Sequence, residues 1–199
     1  MNVGGLIATL TGPTVGEDMT GPQVVDALAQ LITLRNLVDH AVAEHVSAME
    51  RLGVARKAGG RTTALLIAMG LAPAVASRMV RLAASLGRCE ATARHFADGA
   101  ISGEHADAVT RGLGHIESRV AESLSDQECS EHEIALLAQV SSGASPAEVS
   151  AHARSIGNQL AADDPTGVVE DRLGDVAPLD QLGAAALGVP GEVLVEVLA

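Results

Sequence analysis

Apolar positions recur along most of this chain at helical spacing, and no stretch before Asp163 shows the apolar-polar alternation of a half-buried strand. The first and longest stripe runs through Val24, Leu28, Leu31, Val38, Val42 and Met49. Thr20-Gly-Pro-Gln23 stands in front of it as a capping box with Pro at the second helical position, predicting one helix of about 30 residues. Arg35 interrupts the stripe, and a pairing with Asp39 one turn later, or an extended stem reaching water, is the expected accommodation.

A basic turn with two glycines, Arg56-Lys-Ala-Gly-Gly-Arg61, comes next. A short apolar helix from Thr62 to Met69 is closed by Gly70, and Leu71-Ala-Pro73 starts another. On this second helix Val75, Met79, Leu82 and Leu86 form one face, and Arg78, Arg81 and Arg88 form another about 110° away. The expectation is that the first face packs and the second is a free basic surface. Three more amphipathic helices follow. One is capped by Ser102 and carries Ala106, Val109, Leu113 and Ile116; one is apolar from Ile134 to Val140; the last opens at Ser145-Pro-Ala-Glu148 with Val149, Ala153, Ile156 and Leu160 behind it.

The predicted fold is therefore all-α: a multi-helix bundle with a long N-terminal helix, a helix-turn-helix-like basic pair and an irregular C-terminal tail. A flexible N-terminus (1–19), a helical domain (20–165) and a linker with a short terminal element (166–199) are the expected divisions. The chain has 199 residues, with 47% apolar and 19% charged content, which is globular rather than disordered. Its only aromatic residue of the Phe, Tyr and Trp set is Phe96, so small aliphatic side chains must fill the core and let helices approach closely.

Charge changes the picture more than composition does. The net charge is −12, yet eight of the thirteen basic residues lie between Arg51 and Arg94, where Glu90 is the one acidic residue. Eight basic against one acidic makes this stretch +7; the remaining five basic against twenty-four acidic make the rest −19. A positive stretch laid out as two helices and a turn makes double-stranded DNA the first partner to expect, with Arg56, Lys57, Arg61, Arg78, Arg81 and Arg88 as the phosphate contacts. A second copy of the chain, or another acidic protein surface docking on the same face, is the alternative partner. Stacking on single strands is disfavoured by the lack of aromatics.

Catalytic chemistry has little to stand on. His95, His105 and His115 recur every ten residues, which does not align them on one helix face, and Cys129-Ser-Glu-His132 is half of a zinc site whose other half is missing. Cys89 and Cys129 form no CxxC, so a reduced, cytoplasmic setting without metal or other cofactor is expected. Walker loops, GxSxG and HExxH are absent. Gly59-Gly60 before Arg61 could admit a phosphate, though a plain turn is the commoner use of two glycines. The start of the chain has no basic n-region, and the uncharged run from Thr62 to Ser77 is 16 residues, short of the roughly 20 a membrane helix needs.

One resemblance adds to this reading. Gly60 to Ala83, GRTTALLIAMGLAPAVASRMVRLA, followed by Ala100-Ile-Ser-Gly-Glu-His-Ala106, resembles the 13E12 repeat family, a domain of unknown function that usually precedes an HNH endonuclease domain. The likeness spans Thr20 to Pro165 and ends in the Ser145-Pro-Ala-Glu148 helix. Two departures qualify what it implies. Ala72 stands where the family usually has Ser or Thr, which removes a capping oxygen worth roughly 1 kcal/mol. Beyond Pro165 there is no His, Asn or Cys to hold a metal or act as base, so the nuclease chemistry of the related proteins is not expected here and the chain reads as non-catalytic.

Overall fold

The computed structural model describes residues 19–163. The expected N-terminal segment, apart from Met19, and the expected C-terminal linker lie outside that range. Within it the chain forms eight α-helices and one 3-10 turn, with no strand among the described residues. They are α1 (Gly21–Leu52), α2 (Val54–Lys57), α3 (Thr62–Ala68), α4 (Pro73–Ser85), the 3-10 turn Leu86–Arg88, α5 (Glu90–Ala97), α6 (Gly103–Glu117), α7 (Asp126–Ser141) and α8 (Pro146–Asp163). No described helix is long and apolar enough to cross a membrane.

Helix starts follow the local sequence where a cap was legible. Gln23 accepts from the Thr20 backbone N–H (2.8 Å), and Ser125 with Glu128 and Ser145 with Glu148 close two full capping boxes. At α4 no side chain caps Ala72, as its missing hydroxyl requires. α5 lacks a local cap too, since its N-cap is Cys89. A carboxylate from another helix serves instead: buried Glu133 of α7 accepts from the Thr92 backbone N–H at 2.7 Å. Negative charge at a helix N-terminus also meets the positive end of the macrodipole. Ile134, which opens the apolar run expected here, is 58% exposed, whereas Glu133 before it is 5% exposed. Leu136 and Leu137 set the buried face, and Glu133 lies one turn before them on it.

α6 is the central strut. Nine of its residues are buried, and α1, α4, α5, α7 and α8 all pack around it. Phe96, Met79, Leu82, Ile116, Leu136, Val46, Val109 and Val149 fill the core together with small residues such as Ala76, Ala106 and Ala153. The closest approach is between α6 and α8, where a Cβ on Gly112 would meet the Ala153 Cβ at 2.8 Å and the Leu136 Cδ1 at 3.1 Å. The aromatic-poor composition thus yields a glycine-on-alanine crossing.

α1 is docked only along its C-terminal half. Asn36 Nδ2 donates to the Gly99 carbonyl (3.0 Å), and Ala43 and Val46 are buried beyond it. Gly99 sits at φ 70 in the turn after α5, where a Cβ would meet the Thr33 carbonyl and Leu37 at 3.0 Å, so both the left-handed backbone and the close approach call for glycine here. Much of the predicted core stripe is uncovered: Val24, Leu28, Leu31 and Val38 are exposed, as are Val25 and Ile32 beside them, and no described element stands opposite the part before Asn36.

Gly112→Ala is expected to cost about 1–3 kcal/mol through overpacking against Ala153. Gly114→Ala, two residues on with nothing within 4 Å of its Cβ position, should instead stabilise by up to about 1 kcal/mol. Urea unfolding of the two variants checks the contrast.

Candidate nucleic-acid interface

The eight cations between Arg51 and Arg94 divide into two sets of different fate. The four later ones are each bound to a carboxylate of the same chain. Arg78 meets Glu104 at 2.8 Å, and Arg81 grips Asp107 with both arms of its guanidinium (2.9 and 2.7 Å). Arg88 meets Glu117 at 2.6 Å and Arg94 meets Glu90 at 2.9 Å. Arg78 and Arg81 ascend α4 as Glu104 and Asp107 ascend α6, so the two helices are joined by successive rungs. Arg88 is not on α4 at all, since that helix ends at Ser85 and Arg88 closes the 3-10 turn.

This corrects the expectation of a free basic face. Arg78 is only 14% exposed at its side chain, and the acceptor of Arg81 is buried. The reason lies in α6: Glu104 and Asp107 stand one turn apart on it, and a carboxylate that enters the core must be paired. Sequence reasoning left the basic face free because it followed one helix at a time. Besides Arg81, the exposed positions of α4 are Pro73, Ala74 and Ala84, which offer no side-chain hydrogen bonds.

Arg35 reaches the surface, as one of its two expected accommodations has it, with its side chain 62% exposed, and its ion pair is with Glu104 (3.0 Å), not Asp39. Glu104 therefore holds two arginines. Burial pushes its carboxyl upward, but its own backbone N–H, Arg78, the Ser102 hydroxyl and Arg35 together hold it below the ordinary glutamate value. Asp39 beside it is raised by burial despite Arg35 and Arg78, and its Oδ2 is buried without a hydrogen bond among the described residues. The Arg81 guanidinium is held on its proton above the usual value, by its hydrogen bonds to Asp107 against the effect of burial.

The four earlier cations are different. Arg51 ends α1, Arg56 and Lys57 are on α2, and Arg61 stands at the N-cap of α3. All four are exposed, and among the described residues none forms an ion pair or a side-chain hydrogen bond. The αL turn at Gly53 (φ 65) folds the end of α1 onto α2, which gathers them at one corner of the bundle. Gly59 does not cradle a phosphate: its N–H donates to the Arg56 carbonyl and that of Gly60 to the Ala55 carbonyl, a Schellman closure that uses both donors.

Of the histidines considered for catalysis, His95 is exposed, and His105 is placed between the Ser102 hydroxyl and the Ala144 carbonyl. His40 meets Phe96 edge-on at 5.2 Å. Cys129 donates to Glu117 at 3.6 Å, and among the described residues no group of three His, Cys, Asp or Glu side chains is placed to hold a metal. Sequence separation concealed one juxtaposition. Cys89 and Cys129, forty positions apart, line a common cavity of about 430 Å³ with Arg88, Glu117 and Glu133. Burial first, then Glu133, pushes the Cys89 thiol up to about 11, so it stays protonated and poorly nucleophilic. No family model, curated protein or solved structure matches the chain. Membership of the 13E12 repeat family is thus a proposal that rests on the sequence motifs.

Arg81→Ala is expected to destabilise the fold by about 2 kcal/mol, because it leaves Asp107 charged, buried and stripped of its two best donors. Arg56→Ala should stay within about 0.5 kcal/mol of wild type, as exposed side chains without partners do. Glu133→Ala should behave like Arg81→Ala, at about 2 kcal/mol, by exposing the uncapped start of α5. Chemical denaturation midpoints of the three variants test these assignments.

Proposed function

We propose that this chain is a non-catalytic helical domain of the 13E12 repeat type that associates with double-stranded DNA through the corner formed by Arg51, Arg56, Lys57 and Arg61. The observation that carries the reading is the contrast within the basic stretch: four cations are each paired with a carboxylate of the chain, two of them at the surface, and four stand exposed with no carboxylate among the described residues paired to them. In a protein of net charge −12, such a corner holds locally positive potential against the average. Arginine is suited to phosphate by its planar fork of donors, and three of the four are arginines.

The mode this supports is narrower than a helix in the major groove. Point contacts to phosphates position a protein on a duplex and carry no base information by themselves. With Phe96 fully buried and no Tyr or Trp in the chain, the surface has no aromatic platform for unpaired bases, which favours duplex over single strand. The competing idea, that Arg78, Arg81 and Arg88 dock on the acidic surface of a partner, loses its basis because those arginines have their acidic partners within the chain. A cytoplasmic setting belongs to the same proposal, and the two free thiols suit a reducing compartment.

Titration of a fluorescent duplex by anisotropy at several salt concentrations tests this. Four phosphate contacts predict a log–log slope near −3.6, from about −0.9 per phosphate. Replacing Arg56, Lys57 and Arg61 together by Ala should remove most of the binding and flatten the slope to about −1. Absence of binding at low salt, or binding unaffected by the triple change, would refute the assignment.

A further inference from the structure

The uncovered part of α1 has a pattern that points to its occupant. Residues 24 to 32 read Val-Val-Asp-Ala-Leu-Ala-Gln-Leu-Ile, and their chemical character is the same in both directions from Leu28. Two apolar residues, one polar residue and one alanine precede Leu28; one alanine, one polar residue and two apolar residues follow it. The five large apolar side chains of this segment, Val24, Val25, Leu28, Leu31 and Ile32, are exposed, Val25 by 65% and Leu28 by 55%. At 100° per residue they cover an arc of roughly 120° on one side of the helix. Contiguous exposure on that scale marks an interaction surface.

We propose that this arm is a self-association surface, on which the arms of two copies pair antiparallel about a two-fold axis passing by Leu28. A two-fold interface is self-complementary by construction, so the same patch must serve both sides. The palindromic pattern meets that demand. Leu28 faces Leu28 of the second copy, and Val24, Val25, Leu31 and Ile32 lie within about 60° of it on either side, so each arm brings the same apolar set to the seam at matching levels. Ala27 and Ala29 flank the seam, and Asp26 and Gln30, about 160° from Leu28, point away from it, so no charge is set against a like charge. Pairing in the parallel sense would instead put Arg35 of one copy on Arg35 of the other, with both bodies on the same side.

Electrostatics of the whole molecule favours the same orientation. Each chain carries −12, which opposes association of two bodies in contact. In the antiparallel arrangement each body begins at Asn36, eight residues from the axis, so the two lie roughly 24 Å apart along the paired arms at about 1.5 Å per residue. That exceeds the screening length of about 8 Å at physiological salt. The arm itself is nearly neutral: Asp26 is its one carboxylate before Asn36 and Arg35 its one cation. Arg35, tied to Glu104, marks where arm becomes body. This surface is separate from the basic corner at the other end of α1, and either assignment can fail without the other.

Sedimentation equilibrium of the full chain across a wide concentration range tests the proposal, with Leu28→Asp as the disrupting variant and far-ultraviolet circular dichroism to show that the helix persists. The expected result is a monomer–dimer equilibrium whose dissociation constant rises at least tenfold in Leu28→Asp. Orientation is read by crosslinking under oxidised glutathione: Leu28→Cys should link to itself, and Val24→Cys should link to Ile32→Cys in a mixture but not to another Val24→Cys. A monomer at every concentration, a dimer indifferent to Leu28→Asp, or preferential 24-to-24 crosslinking would each overturn it. So would a monomer whose melting temperature drops in Leu28→Asp, since that result places a segment of the same chain over the arm.

Discussion

The buried carboxylate of Asp107 is the constraint around which the rest of this bundle is arranged. It lies on the most enclosed helix, α6, where an unpaired charge would cost several kcal/mol, and the fork of Arg81 reaches it from α4. With that rung in place, Arg78 and Glu104 fall into register one turn earlier, and Arg35 is drawn from α1 onto the same carboxylate. Three helices are thereby fixed against one another by ions, while the aliphatic side chains between them are too small to dictate a unique packing by shape. Polar specificity compensates for the lack of large, shaped side chains in the core.

That arrangement decides what the basic stretch can do. A charge count along the chain treats its eight cations as one patch, but half of them are balanced by carboxylates of the same chain. What is left is smaller, runs from the last turn of α1 through α2 to the N-cap of α3, and has a different character: exposed, without an ion pair among the described residues, and not set out along one helix face. The proposal of phosphate contact is correspondingly one of position and charge. The separate proposal for the α1 arm would add a second copy of the same corner at a distance set by twice the stretch of α1 from Leu28 to Arg51.

Helices and their ends were legible because their signals are local. Thr20-Gly-Pro-Gln23, Ser102 and Ser145 with Glu148 need only their own neighbours, and those helices start where their caps stand, whereas α7 begins at Asp126, well before the apolar run at Ile134 that marked it in sequence. Gly70 likewise ends α3 as expected. Partners across the fold were not legible. Glu104, Asp107 and Glu117 are unremarkable acidic residues in sequence, and nothing in the spacing of Arg78, Arg81 and Arg88 says that their carboxylates are 26 to 29 positions away. The stripe of α1 misled in the opposite sense, since periodicity reveals an apolar face but not whether anything covers it. Exposed Ile134 and buried Glu133 show the same limit on α7: hydropathy ranks residues, while geometry assigns faces.

The carboxylate of Glu133 at the start of α5 has a consequence for the order in which this chain can fold. α5 has only eight residues, too few to persist alone in water, and its missing cap arrives from 41 positions downstream. A nascent chain that has not yet delivered Glu133 holds the start of α5 open and solvated. The turn that places Gly99 against α1 follows directly on α5, so docking of the long helix at Asn36 depends on α7 being home. Closure of the bundle is then a late, long-range event tied to the second half of the sequence, and native-state hydrogen exchange should find α5 and the base of α1 opening together with α7 rather than separately.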